Sequence, residues 1–184
     1  MNKVTISKNE IIQSAKTMAM RIPIQEISIR EIAKQCGMSV GSVYNCFPSK
    51  NELLIETVTA IWDEIVDDEL FQSEPHGFLQ TVESLFHSVK AGEQKYPSFL
   101  NRHGLVVSNK EKGKELMLGY LETIKEGLLK SLRLDRDVKA DFFATACSES
   151  EFVDFVFLSL VNSVVQKQPT CKVLLAMIQA SIYE

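Results

Sequence analysis

Hydrophobic residues recur along this chain at the three- and four-residue spacing of amphipathic helices. Strand-like alternation never extends beyond a few residues, and there are no internal repeats or low-complexity tracts. The pattern therefore predicts an all-α protein. The predicted helices cover residues 7–21, 29–36, 40–47, 49–70, 78–92, 96–107, 149–166 and 170–182. A further helix begins at residue 108 and leads to residues 133–141, which are a charged connector or a short helix end.

Residues 29–50 organise the rest of the chain, because they are typical of two short helices joined by a tight turn. Ser28 precedes the first of these helices and Glu31 follows three residues later, which is the spacing of a capping box. Gly37 permits the left-handed backbone that ends a helix sharply. Ser39 then stands where it can cap the second helix.

The second of these helices has two different faces. Val43 and Phe47 are four residues apart and point to the core. Ser42 and Asn45 lie on the other side, flanked by Tyr44. A helix that presents small and hydrogen-bonding groups in this way can enter a DNA major groove.

This segment resembles the DNA-binding part of the TetR family of bacterial transcriptional regulators, over about residues 7–60. The matching positions are Ile32, Ala33, Gly37, Ser39, Gly41, Ser42, Val43, Tyr44, Phe47 and residues 49–54. One departure is Cys46, where the family often has His or another polar residue. The resemblance implies a homodimer that binds a palindromic DNA operator through an N-terminal head, and a C-terminal body that binds a small molecule.

The residues predicted to contact DNA lie on the second short helix and its flanks. They are Arg30, Ser39, Val40, Gly41, Ser42, Tyr44, Asn45 and Lys50. Lys50 and Tyr44 match family positions that bind backbone phosphates, which fix register without reading sequence. Ser42 and Asn45 are the candidate base readers, since an Asn amide pairs a donor and an acceptor toward adenine. Packing between helices is the alternative for Tyr44.

Charge is unevenly distributed, although the net charge of −4 does not by itself suggest a nucleic-acid partner. Residues 1–50 contain seven basic and three acidic side chains, whereas residues 51–184 contain thirteen basic and twenty-one acidic ones. A basic head on an acidic body fits a protein that contacts phosphates at one end. Chance asymmetry is the alternative explanation.

The predicted helix at 149–166 is apolar on most sides, so it must be buried on most sides. A small chain usually needs a second copy to achieve this, and the family resemblance implies a two-fold four-helix interface. The alternative is a helix at the centre of a monomeric bundle. The predicted interface residues are Phe152, Phe155, Val156, Leu160, Val164, Leu174, Met177 and Ile178.

The body of the family encloses a ligand cavity, and this chain has large apolar residues that could line one. They are Trp62, Phe78, Val82, Phe86, Phe99, His103, Met117, Tyr120 and Ile124. Few of them are polar, which favours an uncharged or amphiphilic apolar ligand. A packed core is the alternative for each residue.

Motifs of catalysis and metal binding are missing from the sequence. The three histidines are scattered without HExxH, the four cysteines show no CxxC pair, and there is no GxGxxG, P-loop or GxSxG motif. We therefore expect neither an enzyme nor a metal or cofactor. There is also no apolar run of about 20 residues and no signal-peptide core, which predicts a cytoplasmic protein without a membrane partner.

Together these patterns predict a helix-turn-helix head at residues 1–50, joined by a long helix to a ligand-binding and dimerisation body at residues 51–184. The predicted function is a DNA-binding regulator, a repressor that a ligand releases. Two alternatives remain: a DNA-binding protein controlled by a protein partner, and a helical adaptor that does not bind DNA.

Overall fold

A computed structural model of the chain describes residues 7–66, 70, 77–97 and 112–183. All regular elements within these ranges are helical, which confirms the all-α prediction. The α-helices are α1 (Lys8–Ala19), α2 (Ile29–Gln35), α3 (Val40–Cys46), α4 (Lys50–Ile65), α5 (Phe78–Lys95), α6 (Lys112–Leu134), α7 (Ala140–Thr145), α8 (Glu149–Val165) and α9 (Lys172–Ile182), with a 3-10 turn at Ile24–Glu26. In the described part of the chain, every helix is too short or too polar to cross a lipid bilayer.

Helices α1, α2 and α3 form the head, in which α2 packs on both of the others. The side chains that close this core have almost no exposed surface. They are Ile11, Ala15, Ile32, Ala33, Val43 and Phe47. Val43 is the one residue of α3 that is fully buried in the core of the head. The opposite side of α3 therefore faces outward.

The predicted caps of α2 and α3 have different outcomes. Ser39 caps α3 as expected, because its Oγ accepts the Ser42 backbone N–H at 3.0 Å. The capping box at Ser28 is wrong, since its side chain makes no capping hydrogen bond. The first turn of α2 is held instead by two backbone N–H groups that donate to the Ser28 carbonyl at 3.0 and 3.1 Å.

Gly37 ends the turn after α2 with φ +62°, so the predicted left-handed backbone is confirmed. We expect Gly37→Ala to lower the free energy of unfolding by about 1–2 kcal/mol, because an L side chain is strained at this φ. Urea titration measures this. A Cβ would meet no atom within 4 Å at Gly37, so the loss would come from the backbone alone. Gly41→Ala is the control, since Gly41 lies within a helix and its Cβ would make only an ordinary contact at 3.7 Å. An equal loss in both variants would contradict this account.

Helix α4 is shorter than the sequence predicts. It ends at Ile65, and Val66 forms a bend, so the expected continuation to residue 70 is wrong. Sixteen residues correspond to a rod of about 24 Å, rather than the roughly 30 Å of the predicted helix. The predicted helix at 96–107 falls outside the described residues except for Tyr96 and Pro97, which are not helical.

The chain divides into two compact units, residues 1–64 with 92–118, and residues 65–91 with 119–184. Helix α5 begins in the second unit and ends in the first. The predicted domains, 1–50 and 51–184, are defined by function rather than by contacts and stay a prediction.

In the second unit, Asp135 fixes the start of α5. Its Oδ2 accepts the Phe78 backbone N–H at 2.7 Å and also the Tyr183 hydroxyl, so one carboxylate joins α5 to the end of α9. A Cβ at Gly77 would lie 2.8 Å from the same oxygen, so a larger residue there would require the Asp135 carboxylate to shift. Burial, and then the hydrogen bond to Asp135, raise the pKa of Tyr183, so its hydroxyl stays a donor.

Candidate nucleic-acid interface

The outward face of α3 consists of two neighbouring rows of exposed residues. Val40 and Tyr44 form one row at i, i+4, with 37% and 45% of their surface exposed. Gly41 and Asn45 form the other, and both are exposed. The placement is the one expected for groups that contact DNA, and Tyr44 lies mostly outside the core of the head. The contacts themselves stay a prediction.

Ser42 differs from its neighbours on α3 because it is half-buried and already bonded within the head. Its Oγ lies 2.8 Å from the Oγ of the capping residue Ser39. A serine hydroxyl has one donor and two acceptor sites, so this bond leaves Ser42 further hydrogen-bonding capacity while restricting its rotamer. Asn45, exposed on the next turn, is the less constrained of the two candidate base readers.

Lys50 stands at the first position of α4, where its Nζ donates to the Gln25 carbonyl at 2.8 Å. This bond ties the 3-10 turn to the start of α4, where Lys50 is half-buried. An ammonium has three donors, so one bond to a carbonyl is compatible with the predicted phosphate contact. No sequence pattern indicated Gln25 as the partner of Lys50.

Arg30, a predicted DNA contact, is exposed at the second position of α2. Two further basic residues of the head were not predicted. Arg21 and Lys34 line an open hollow of about 480 Å³ between α1 and α2. Its other lining residues are Met18, Ile22, Glu31 and Gln35. The only sign of Arg21 and Lys34 in the sequence was the excess of basic residues in the first fifty positions.

Sequence patterns did not indicate the Glu64 hub, which we define as the Glu64 carboxylate with its donors Lys16, Lys95 and Tyr96. Lys16 Nζ from α1 lies 2.5 Å from Glu64 Oε2, and the Tyr96 hydroxyl donates to the same oxygen at 2.9 Å. Lys95, at the end of α5, pairs with the other oxygen. All four residues belong to the first unit.

The pKa of Glu64 reflects these contacts. Desolvation by itself raises the pKa, but the hydrogen bonds outweigh it and lower the pKa from 4.5 to about 2. A carboxyl with a depressed pKa stabilises the fold fully above its ordinary value and loses this effect as the pH falls toward the depressed one. The Glu64 hub is therefore intact at neutral pH and weakens only between about pH 4.5 and 2.

The predicted ligand-lining residues are mostly placed in the interior. Trp62, Phe78, Val82, Phe86 and Ile124 are buried, and Tyr120 is half-buried. Phe99 and His103 lie outside the described residues, as does the side chain of Met117. Phe78 also belongs to an aromatic cluster that the sequence did not reveal, with Phe142, Phe143 and Phe152. A role in ligand binding stays a prediction for all of them.

The predicted dimer residues separate into two groups. Phe155 and Met177 are exposed, as an interface requires. The other six, Phe152, Val156, Leu160, Val164, Leu174 and Ile178, are buried in the chain's own core. Leu160 has no exposed surface, so its predicted outward orientation is wrong, and a fully buried residue has none to lose on dimerisation.

Five apolar residues of α8 and α9 are exposed, among them the predicted Phe155 and Met177, and these two helices pack together. We call these residues the α8/α9 face, and they are Phe155, Leu158, Val165, Val173 and Met177. On α8 the spacing of three and seven residues places its members on one side of the helix. Exposed apolar groups clustered in this way are typical of an interaction surface.

Within the described ranges, no three His, Cys, Asp or Glu side chains are placed to hold a metal ion. Cys36, Cys46 and Cys147 are half-buried thiols, and Cys171 is buried. Burial raises the pKa of the Cys171 thiol. It is therefore a protonated side chain of the core at neutral pH.

Comparison with known proteins gives a match to one family model. Residues 11–57 match the model of bacterial regulatory proteins of the tetR family. No curated protein sequence matches the chain.

Solved structures with the same fold span nearly the whole chain. A transcriptional regulator from Rhodococcus sp. Rha1 has a TM-score of 0.74 at 14% identity, covering 97% of this chain and 99% of its own. Reduced NemR from E. coli has a TM-score of 0.70 at 12% identity, covering 95% and 97%. A TetR transcriptional regulator from Legionella pneumophila has a TM-score of 0.65 at 16% identity, covering 99% and 100%.

Proposed function

We propose that this chain, which belongs to the TetR family through residues 11–57, is a sequence-specific regulator of transcription. In this proposal it acts as a homodimer that represses genes until a small apolar or amphiphilic ligand releases it from DNA. The observation that carries the proposal is the outward face of α3, where Tyr44 and Asn45 are exposed while Val43 is fully buried in the head. A helix anchored on one side and polar on the other is suited to the major groove.

Within this proposal, the DNA contacts have distinct tasks. Asn45 reads a base edge, most naturally adenine, through its amide. Lys50 and Tyr44 bind phosphates and fix the register of the head. Val40 is exposed at the start of α3, where its methyl groups can contact a thymine methyl. Ser39 and Ser42, bonded to each other, shape the N-terminal turn of α3.

The test of DNA recognition is selection from a randomised duplex pool, followed by titration of the selected duplex. We expect Asn45→Ala to cost about 1–3 kcal/mol at particular base pairs and to relax selection there. Lys50→Ala should weaken binding to all sequences and reduce the salt slope by about one. Anisotropy titration at several salt concentrations measures both effects.

Lys130→Ala is the control for Lys50→Ala, because Lys130 is an exposed lysine on α6, far along the chain from the head. It should leave both affinity and salt slope unchanged. If the wild-type protein at low salt selects no duplex from the pool, the regulator proposal fails and the helical adaptor becomes the better account.

The homodimer proposal is supported by the α8/α9 face. Five large apolar residues are exposed on two packed helices, with Leu158 at 66% and Val173 at 75%. A second copy of the chain would remove these groups from water, which favours association. Two-fold symmetry would then present two heads to a palindromic operator, whose half-sites lie about one helical turn or a multiple apart.

Ligand control is supported less directly, by the large apolar residues of the body. Phe78, Val82 and Phe86 share one side of α5, and Ile124 lies on α6, all of them buried in the second unit. Their chemistry suits an apolar ligand with few polar groups. Control by a protein partner is the alternative. Titration of small apolar compounds against the operator complex distinguishes the two.

A further inference from the structure

The Glu64 hub joins α1, α4 and the C-terminal end of α5 through one carboxylate. Glu64 lies in the last turn of α4, Lys16 in α1, and Lys95 with Tyr96 at the end of α5. The distances are 2.5 Å from Lys16 Nζ and 2.9 Å from the Tyr96 hydroxyl. Both carboxylate oxygens are used, since Lys95 pairs with the second one.

Because Lys16 is buried, its ammonium requires the Glu64 carboxylate beside it. Its side chain is only 9% exposed, and its Nζ also donates to the Ala60 carbonyl at 3.2 Å. A buried ammonium without a counter-charge is strongly destabilising. Glu64 supplies that counter-charge, so it must stay beside α1. Tyr96 is also buried, with 1% exposure, which fixes its hydroxyl against the same carboxylate.

The other two helices of the head are held in place by packing that starts from α1. Helix α2 packs on α1 and α3 packs on α2, so the head moves as one body with its recognition helix. Helix α5 is continuous from Phe78 to Lys95, and its start is held by Asp135 in the second unit. A continuous helix transmits displacement as a rigid shift of the whole element.

We infer that Glu64 is a positioning residue that fixes the DNA-binding head to the C-terminal end of α5. This inference rests on the proposed function and names the contact that holds the head to the end of α5 within the first unit. In a dimer, a head held in this way would accept its half-site in one orientation, so the contact would affect which separation of half-sites the two heads accept together. Glu64 itself contacts no DNA in this account.

The experiment separates head position from the DNA-binding surface. Purified dimer is titrated against duplexes that carry the selected half-sites at the best separation and at one base pair more or less, and against a single half-site. Wild-type protein should favour one separation. Glu64→Gln should reduce that preference by about tenfold, within the range by which residues of a coupling network change site coupling. Affinity for the single half-site should stay within about twofold, because the surface of α3 is untouched.

A second variant guards against loss of folding. Lys95→Met combined with Tyr96→Phe removes the α5 side of the Glu64 hub but keeps the buried pair of Lys16 and Glu64. It should also lose the preference for one separation. Glu56→Gln is the matched control, since Glu56 is another α4 carboxylate paired with α1, through Lys8, but both partners are exposed. Such surface pairs contribute little, so spacing preference should be unchanged.

The outcomes are distinct. The inference is overturned if Glu64→Gln and the α5-side double variant both fold and both keep the wild-type preference for one separation. Glu64 would then be a purely structural residue. If Glu64→Gln does not fold, the result of the α5-side double variant decides. A wild-type protein that selects no duplex at all would defeat the proposed function, and with it this inference.

Discussion

Leu158→Glu is expected to produce a folded monomer and to lower operator affinity by about 10²- to 10⁴-fold, the range that linking two binding modules adds. Leu158 is the most exposed large apolar residue of α8, at 66%, so the change does not disturb the chain's own core. In a two-fold interface the substitution enters twice and places two carboxylates in an apolar contact. Sedimentation velocity at micromolar concentration measures the mass, and anisotropy measures operator affinity.

Two leucines supply the controls. Leu134→Glu introduces the same charge at a leucine that is 54% exposed at the end of α6, outside the α8/α9 face, and should leave the dimer intact. Leu160→Glu lies only two residues from Leu158 but has no exposed surface, so it should unfold the protein instead. A Leu158→Glu protein that remains dimeric with unchanged operator affinity would contradict the location of the interface.

The head could be predicted from the sequence because its determinants are local. Gly37 has the backbone angle that its position after α2 requires, and Ser39 caps α3 within three residues. Val43 and Phe47 follow helical spacing into the core. Each of these signals spans at most five residues, so no long-range contact was needed to read it.

Most of the features that escaped prediction depend on contacts distant in sequence, and the error at Ser28 is a local exception. Helix α8 is apolar on most sides, so its composition did not distinguish Leu158, which is exposed, from Leu160, which is buried. The Glu64 hub joins positions 16, 64, 95 and 96, which share no motif. Even Ser28 was misassigned, because the first turn of α2 is satisfied by backbone bonds and not by the serine hydroxyl.

The ligand proposal predicts that a compound of the right class lowers operator affinity. By linkage, operator DNA must weaken compound binding by the same factor. A 100-fold effect corresponds to about 2.7 kcal/mol of coupling, within the range of known allosteric proteins. Straight-chain alcohols, long-chain carboxylates and planar aromatic compounds form a suitable panel. Titrating each compound into preformed operator complex gives the change in operator affinity.

Phe86→Trp tests whether the response arises where we propose. Phe86 is fully buried on α5, and a larger ring there fills space that a ligand among α5 and α6 would need. We expect operator affinity without compound to stay within about threefold, while sensitivity to an active compound falls by at least about tenfold, as a lost apolar contact surface allows. Phe157→Trp is the matched control, because Phe157 is also buried but lies on α8, outside the predicted pocket.

The control separates a pocket from a general effect of overpacking. If both Trp variants lose sensitivity equally, the loss reflects strain in the core, and Phe86 has no particular role in ligand binding. If only Phe86→Trp loses it, the compound competes with the new ring for space in the second unit. If no compound in the panel changes operator affinity although the protein binds DNA tightly, control by a protein partner becomes the better account. The large apolar residues of α5 and α6 are then a packed core, as Phe78 already is within its aromatic cluster.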